Sequence, residues 1–259
     1  MRAICRVGAL LLTLGVASLS CAADLTADEV RTTLAKVDRA KPADFTGRDL
    51  SDLDLSNIDF KQADLSGANL FATRLVQSNL ASATMVRANL NGAWLMGTNF
   101  SGADLSGSSM LSLVILGGAV KEKPNFAGAN LSRVRMIADL PRTDLHGANL
   151  TQANLGVDMK NQGMGQMRMD LSGANLAGAN LREANLSRSL MLFADLKGAD
   201  LRGANLYGVK LSGADLTGAD IAGADFTAAD LDGTVFKGVS GMDQAKGMDK
   251  AVSRDRAIY

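Results

Sequence analysis

Residues 63–80, ADLSGANLFATRLVQSNL, carry an apolar residue at every fifth position. These apolar residues are Leu65, Leu70, Leu75 and Leu80. A helix repeats its apolar face about every 3.6 residues and a strand every second residue, so neither explains a period of five. The stretch therefore indicates a repeat architecture, in which each copy is one unit of a stacked fold.

The period of five extends over most of the chain. Fifteen apolar centres follow one another in strict register from Phe45 to Ile115. The pattern resumes at Phe126, breaks off after Leu155, and runs again from Leu171 to Phe236. The two interruptions, near residues 116–125 and 156–170, are predicted to be insertions that leave the repeat as loops.

Each copy follows one consensus. Alanine stands two positions before the apolar centre, aspartate or asparagine stands directly before it, and small or polar residues follow. The copies ADLSG, ANLAG, ADLTG and ANLRE resemble the pentapeptide-repeat family, and the resemblance covers about residues 43–237. It implies an all-β fold, a right-handed quadrilateral β-helix with one repeat per side and about nine coils.

Simple packing agrees with the fold that the resemblance implies. The centre residue and the alanine point into the tube, and the other three residues of a side face water. Alanine suits a narrow axis where four walls converge, and glycine suits the tight corners. Coils stack about 4.8 Å apart, so residues 20 positions apart lie one above another.

Short caps are predicted at both ends of the repeat. Residues 24–42 form an N-terminal cap whose helix spans about 27–38, because Thr26 and Glu29 have the spacing of a capping box. At the other end, residues 238–259 place Met242, Ala245 and Met248 at helical spacing. A C-terminal helical cap is the expectation for this segment.

Residues 1–23 have the features of a signal peptide. Arg2 and Arg6 precede a short apolar stretch, and small residues lead to a predicted cleavage site near Ala23. The stretch is too short to span a membrane as a helix, so a periplasmic or secreted protein is expected. In the less favoured alternative, Cys21 is lipidated and anchors the chain. Cleavage after Ala23 would remove Cys5 and Cys21, the only cysteines.

No catalytic constellation stands out, and neither an enzyme nor a cofactor is predicted. His146 follows an apolar centre and is expected on the solvent side. Asp195 and Asp215 are one coil apart, as are Asp200 and Asp220, and such like-charged neighbours would raise each other's pKa. The preferred interpretation is structural, with these carboxylates satisfying backbone groups at the corners.

One cluster supports a metal-binding alternative. The second insertion is rich in methionine, whose thioether is a soft ligand suited to Cu(I). Methionine is also a common gap-filler in cores, and this chain uses it elsewhere. The candidate ligands are Met159, Met164, Met167 and Met169.

The candidate partner-binding site is a strip of large residues where the repeat expects small or polar ones. Residues on three successive coils are expected to stack on one outer wall, together with two residues of the adjoining wall. Exposed apolar patches of this kind mark contact sites, although the insertion near 116–125 is an alternative cover for the strip. The predicted site consists of Phe71, Arg74, Val76, Trp94, Met96, Leu111, Val114 and Leu116.

The leading hypothesis is a non-enzymatic, exported scaffold or interaction protein of the bacterial cell envelope, with an unidentified protein partner. The resemblance also implies an alternative, a DNA-like acidic rod acting on DNA gyrase, and it is compatible with a homodimer. The chain has 27 basic and 27 acidic residues, and 25 against 27 after the predicted cleavage. This near-neutral charge argues against DNA mimicry and gives no signal for a nucleic-acid partner.

Overall fold

The computed structural model describes residues 23–37, 41–60, 62–115, 122–157 and 168–259. From Asp44 onward, parallel β-bridges join residues about one coil apart. The chain forms the right-handed quadrilateral β-helix expected from its period of five. Ten successive levels are linked on the first side of the coil, nine within the predicted repeat and one in the C-terminal segment. They are Asp44, Asp64, Thr84, Asp104, Asn130, Asn149, Asn180, Asp200, Asp220 and Ser240.

The four sides are numbered from the first coil. Face 1 begins at Asp44, face 2 at Asp49, face 3 at Asp54 and face 4 at Asp59, and each continues through the bridge partners of these residues. A side chain in a bridge position is the one directly before an apolar centre. The corners between faces lie in the two residues after each centre.

The interior is filled in the way that the consensus predicts. The apolar centres and the alanines two positions before them are buried along the whole tube, from Phe45 to Phe236. On face 1, the residue directly before each bridge position points inward. It is alanine on every level from Ala43 to Ala219. At most corners the second residue after the centre has a positive φ, as in Gly102 (64°), and Arg87 adopts the same conformation (57°).

A helix covers the first coil. α1 (Ala27–Ala35) begins at Thr26, whose hydroxyl accepts from the Glu29 backbone N–H while the Glu29 carboxylate accepts from the Thr26 backbone N–H. This is the predicted capping box. Val30 and Leu34 are buried on the first coil and join the core of the tube.

Two short strands stand out from the isolated bridges. β1 (Ser109–Leu111) and β2 (Arg135–Ile137) pair in parallel on face 2, with Met110 opposite Met136. The next centre, Leu140, follows Met136 after only four residues, so this corner is one residue shorter than the others.

The bridge register defines both insertions. Asn99 pairs with Asn125, 26 positions later rather than 20, so the first insertion adds six residues, 116–121. Asn154 pairs with Asn185, 31 positions later, so the second adds 11 residues. The second insertion therefore ends earlier than predicted, because Met169 and Asp170 already occupy repeat positions.

The C-terminal segment is not the predicted helical cap. Lys246, Val252 and Ile258 pair with the ninth coil, so this segment forms a tenth coil. Its only helical parts are two 3₁₀ turns, Met248–Lys250 and Arg254–Arg256. Ala245, Ala251 and Ala257 are six residues apart and pack against the core. Sides of six residues explain the spacing that suggested a helix.

Candidate binding face

Aspartates and asparagines directly before the apolar centres form columns on the outside of the rod. Most of these side chains accept from the backbone N–H two residues later, as Asp104 does from Ser106 at 2.9 Å. Asparagine amides also bond along the column: Asn69 donates to Asp49 at 3.0 Å and Asn89 donates to Asn69 at 2.9 Å. These columns therefore serve the fold, as predicted for the carboxylates.

Face 3 departs from this pattern on consecutive levels. After Asp54, its bridge positions are Arg74, Trp94 and Val114, none of which can accept the bond from the backbone N–H two residues later. A second run, Leu190 and Lys210, follows higher on the same face. Both insertions also leave the coil at corners that border face 3, after Ile115 and after Val157.

The first run forms a stacked column of mixed chemistry. The Arg74 guanidinium lies over the Trp94 ring, with Cζ 4.4 Å from the ring centroid. Its Nε is 3.7 Å from an Asp54 carboxylate oxygen on the level below. Val114 pairs with Trp94 on the level above. Arg74 is exposed, and Trp94 and Val114 are partly exposed.

The structure removes two residues from the predicted exposed strip, and a third lies outside the described residues. Val76 and Met96 are only 7% and 3% exposed, because residues in this position stack on adjacent levels and large side chains cover each other. Leu116 lies outside the described residues. The backbone position above Met96, where the period of five would place Leu116, is occupied by Glu122. The Glu122 carbonyl accepts from the Gly97 N–H at 2.8 Å.

Two further predicted residues lie at the corner between faces 2 and 3. Phe71 is 49% exposed and Leu111 is partly exposed. Asn91 lies between them in the column and accepts from the Leu111 backbone N–H at 2.8 Å. The remaining set of Phe71, Arg74, Trp94, Leu111 and Val114 is called the Trp94 patch below.

A second group of exposed aromatic residues was missed from sequence. Phe193 is 74% exposed at the corner after face 3, and Tyr207 is 39% exposed at the corner before it. The same signal that identified Trp94, a large residue where the repeat expects a small or polar one, would have found both. Leu190 and Lys210 occupy the neighbouring bridge positions of face 3.

The prediction of raised pKa values in the aspartate ladders is wrong for two of the four residues. The Arg202 guanidinium donates to Asp200 and lowers the pKa of that carboxyl. Burial raises the pKa of Asp215, but the hydrogen bonds from Thr217 and the ammonium of Lys197, 3.2 Å away, outweigh it and lower that pKa. Basic side chains lie between the stacked carboxylates, which the repeat consensus alone did not reveal.

These lowered pKa values predict a loss of stability in acid. The folded-state pKa of Asp200 and Asp215 lies below the unfolded value of about 3.9, so their stabilisation is present above about pH 4 and is lost as the pH falls through the folded values. Urea unfolding from pH 5 to pH 2 should show a falling free energy of unfolding. In Asp200→Asn the fall should be shallower, and an identical slope in the variant would contradict the assignment.

The described residues offer little to a metal ion. They contain no group of three or more His, Cys, Asp or Glu side chains arranged to hold a metal. Met169 is fully buried in the inward position before Leu171, which removes it from the proposed Cu(I) cluster. Met159, Met164 and Met167 lie outside the described residues. His146 is on the solvent side as expected, with Nδ1 2.8 Å from Asp144 Oδ1.

A model of the family described as pentapeptide repeats matches this chain in eight copies. The matches cover residues 43–75, 73–110, 123–156, 170–208 and 199–238, more than half of the chain. The protein belongs to the pentapeptide-repeat family. No curated protein matches it.

Solved structures of the same family match with low overall superposition. A trypsin-treated form of QnrB1, described as a plasmid-mediated fluoroquinolone resistance protein, is 21% identical with a TM-score of 0.34. That match covers 82% of this chain and 86% of the QnrB1 chain. The pentapeptide repeat protein Rfr23 from the cyanobacterium Cyanothece 51142 is 25% identical with a TM-score of 0.18, over 47% of this chain and 90% of its own.

Within the described ranges, no helix is both long enough and apolar enough to cross a membrane.

Proposed function

We propose that this protein is a non-enzymatic scaffold that binds a protein partner through the Trp94 patch on face 3. The observation that carries the proposal is the loss of the Asp/Asn column over three consecutive levels, at Arg74, Trp94 and Val114. On the other faces the column supports backbone corners, so its replacement by a guanidinium, an indole and an isopropyl group needs a reason other than folding.

The side chains of the patch fit a binding role. Tryptophan and arginine are the residue types most enriched among the residues that dominate interface energies. Arg74 is held over the Trp94 ring at 4.4 Å, so little side-chain entropy is lost when a partner packs on the pair. Phe71 adds an exposed ring at the edge of the patch.

The partner is expected outside the cytoplasm, because residues 1–23 are expected to act as a signal peptide. In support, the residue that follows the predicted cleavage site contacts the first coil. The Asp24 backbone N–H donates to Asp49 O at 2.8 Å, and its carboxylate accepts from Asp49 N–H at 2.9 Å. A mass measurement on the protein from the envelope fraction should give a chain that begins at Asp24. A lipid-modified chain beginning at Cys21 would favour the anchored alternative, and an uncleaved chain would contradict export.

DNA mimicry has less support. Acidic columns are interleaved with cations in the described part of the rod, since Lys197 lies within 3.3 Å of both Asp195 and Asp215, and Arg202 contacts both Asp200 and Asp220. This arrangement interrupts the continuous negative surface that a DNA mimic presents. Inhibition of gyrase supercoiling by the purified protein would favour the alternative.

The proposal is tested by restoring the repeat consensus at the patch. In Trp94→Asn the residue becomes the one that the columns carry, so the fold should be retained while the indole is lost. Thr84→Asn is the matched control, because Thr84 holds the same bridge position on face 1 of the same coil. Immobilised variants are used to capture proteins from envelope extract, and the captured partner is then titrated with each variant.

We expect Trp94→Asn to weaken partner binding at least about tenfold, as loss of a central aromatic anchor does, and Thr84→Asn to leave it unchanged. Equal melting temperatures would show that both variants remain folded. Equal binding by both variants, or no partner captured by the unmodified protein, would contradict the proposal.

A further inference from the structure

A second site lies higher on the rod, at the corner between faces 2 and 3. The chain leaves the coil after Val157 and returns at Arg168, and a cleft of about 320 Å³ opens beside this point. Its described lining is Val157, Arg168, Arg188, Tyr207 and Gly208. These residues belong to the sixth to eighth levels, whereas the Trp94 patch occupies the second to fourth.

Local packing fixes the position of one cation in the cleft. Arg188 turns the corner with a positive φ of 60°, and a Cβ at Gly208 would lie 3.5 Å from its Cγ. The stem of Arg188 therefore lies along the glycine on the next level. Its Cζ is 5.7 Å from the ring centroid of Tyr207. Tyr207 and Gly208 thus flank the Arg188 side chain, and all three residues line the cleft.

Arg168 supplies a second cation from the opposite edge of the insertion. It is exposed and makes no hydrogen bond or ion pair with any residue that the structure describes. Two arginines and a tyrosine thus line one concave surface. Guanidinium groups bind oxyanions through paired, charge-assisted hydrogen bonds, and the phenol can donate one more.

We propose that this cleft binds an oxyanion group of a small ligand, with Arg168 and Arg188 as the charged donors. A tetrahedral phosphate or sulfate carries enough acceptor oxygens for two guanidinium groups. A carboxylate has two acceptor oxygens, and a single guanidinium group can occupy both through a pair of parallel hydrogen bonds. The site is independent of the Trp94 patch, because no residue belongs to both.

The test follows the arginine side-chain Nε–H signals of the full protein by NMR during titration with inorganic phosphate, sulfate and acetate in separate series. We expect phosphate to shift the signals of Arg168 and Arg188 with one shared dissociation constant. Arg168→Gln and Arg188→Gln should each weaken phosphate binding about tenfold, the usual size for loss of a charged hydrogen bond. The order of the three anions identifies the oxyanion that the cleft prefers.

Arg87→Gln is the matched control. Arg87 also turns a corner with positive φ, and its Cγ would lie 3.5 Å from a Cβ at Gly107, the same relation that Arg188 has to Gly208. This variant should bind phosphate like the unmodified protein. The proposal is overturned if no anion shifts Arg168 and Arg188, or if Arg87→Gln weakens binding as much as the cleft variants do.

Discussion

Phe126→Ala is expected to lower the free energy of unfolding by about 3–5 kcal/mol, the range for removing a buried phenylalanine from a core. Phe126 is the first apolar centre after the insertion of residues 116–121, and it is fully buried. Its ring stacks on Phe100 of the coil below, with centroids 5.1 Å apart and planes 2° from parallel. The stack ties the two sides of the insertion together, so its loss leaves a cavity where the register changes.

Urea denaturation followed by circular dichroism measures this change, with Phe193→Ala as the control. Phe193 is 74% exposed, so its truncation should alter the free energy of unfolding by less than about 0.5 kcal/mol. If both variants lose the same stability, the inward position of Phe126 is wrong.

The second large effect is expected from overfilling the tube. Ala199→Leu adds three carbons to an inward column in which Ala179 and Ala219 occupy the neighbouring levels. Because four walls converge there, the larger side chain must displace a neighbour. We expect a loss of about 1–3 kcal/mol in the free energy of unfolding, as for other overpacked cores.

Ala177→Leu is the matched control for this prediction. Ala177 follows an apolar centre, faces outward and is partly exposed. The same denaturation experiment should show a change within about 0.5 kcal/mol for it. A stabilised Ala199→Leu protein would mean that the interior has unfilled space and that alanine is not required by the narrow axis.

The sequence predicts most of this fold because one geometric requirement repeats in every copy. A side of five residues must turn its centre and its alanine inward, so the register can be counted directly from Phe45 onward. The N-terminal helix can also be predicted from the sequence, because Thr26 and Glu29 form a capping box, a local motif that does not depend on tertiary contacts. The C-terminal coil was not predicted, since Met242, Ala245 and Met248 follow one another at intervals of three residues, which also fits a helical pattern.

The candidate site can be predicted only in part from the sequence, for a different reason. Sequence spacing places Arg74, Trp94 and Val114 in one column, as the bridges show. It does not give the exposure of a side chain, which depends on the neighbours on the levels above and below. Val76 and Met96 were therefore expected at the surface and are buried. The cations between the aspartate ladders were missed similarly, because Lys197 and Arg202 reach across levels.

The proposed function requires a protein partner that packs on face 3 at the Trp94 patch. Site-specific photocrosslinking tests it most directly, with a photoreactive phenylalanine analogue at position 94 and, in a separate protein, at position 84 on face 1 of the same coil. A crosslinked protein partner is expected from position 94 in living cells and none from position 84. Crosslinks from position 84 alone, or equally from both positions, would contradict it.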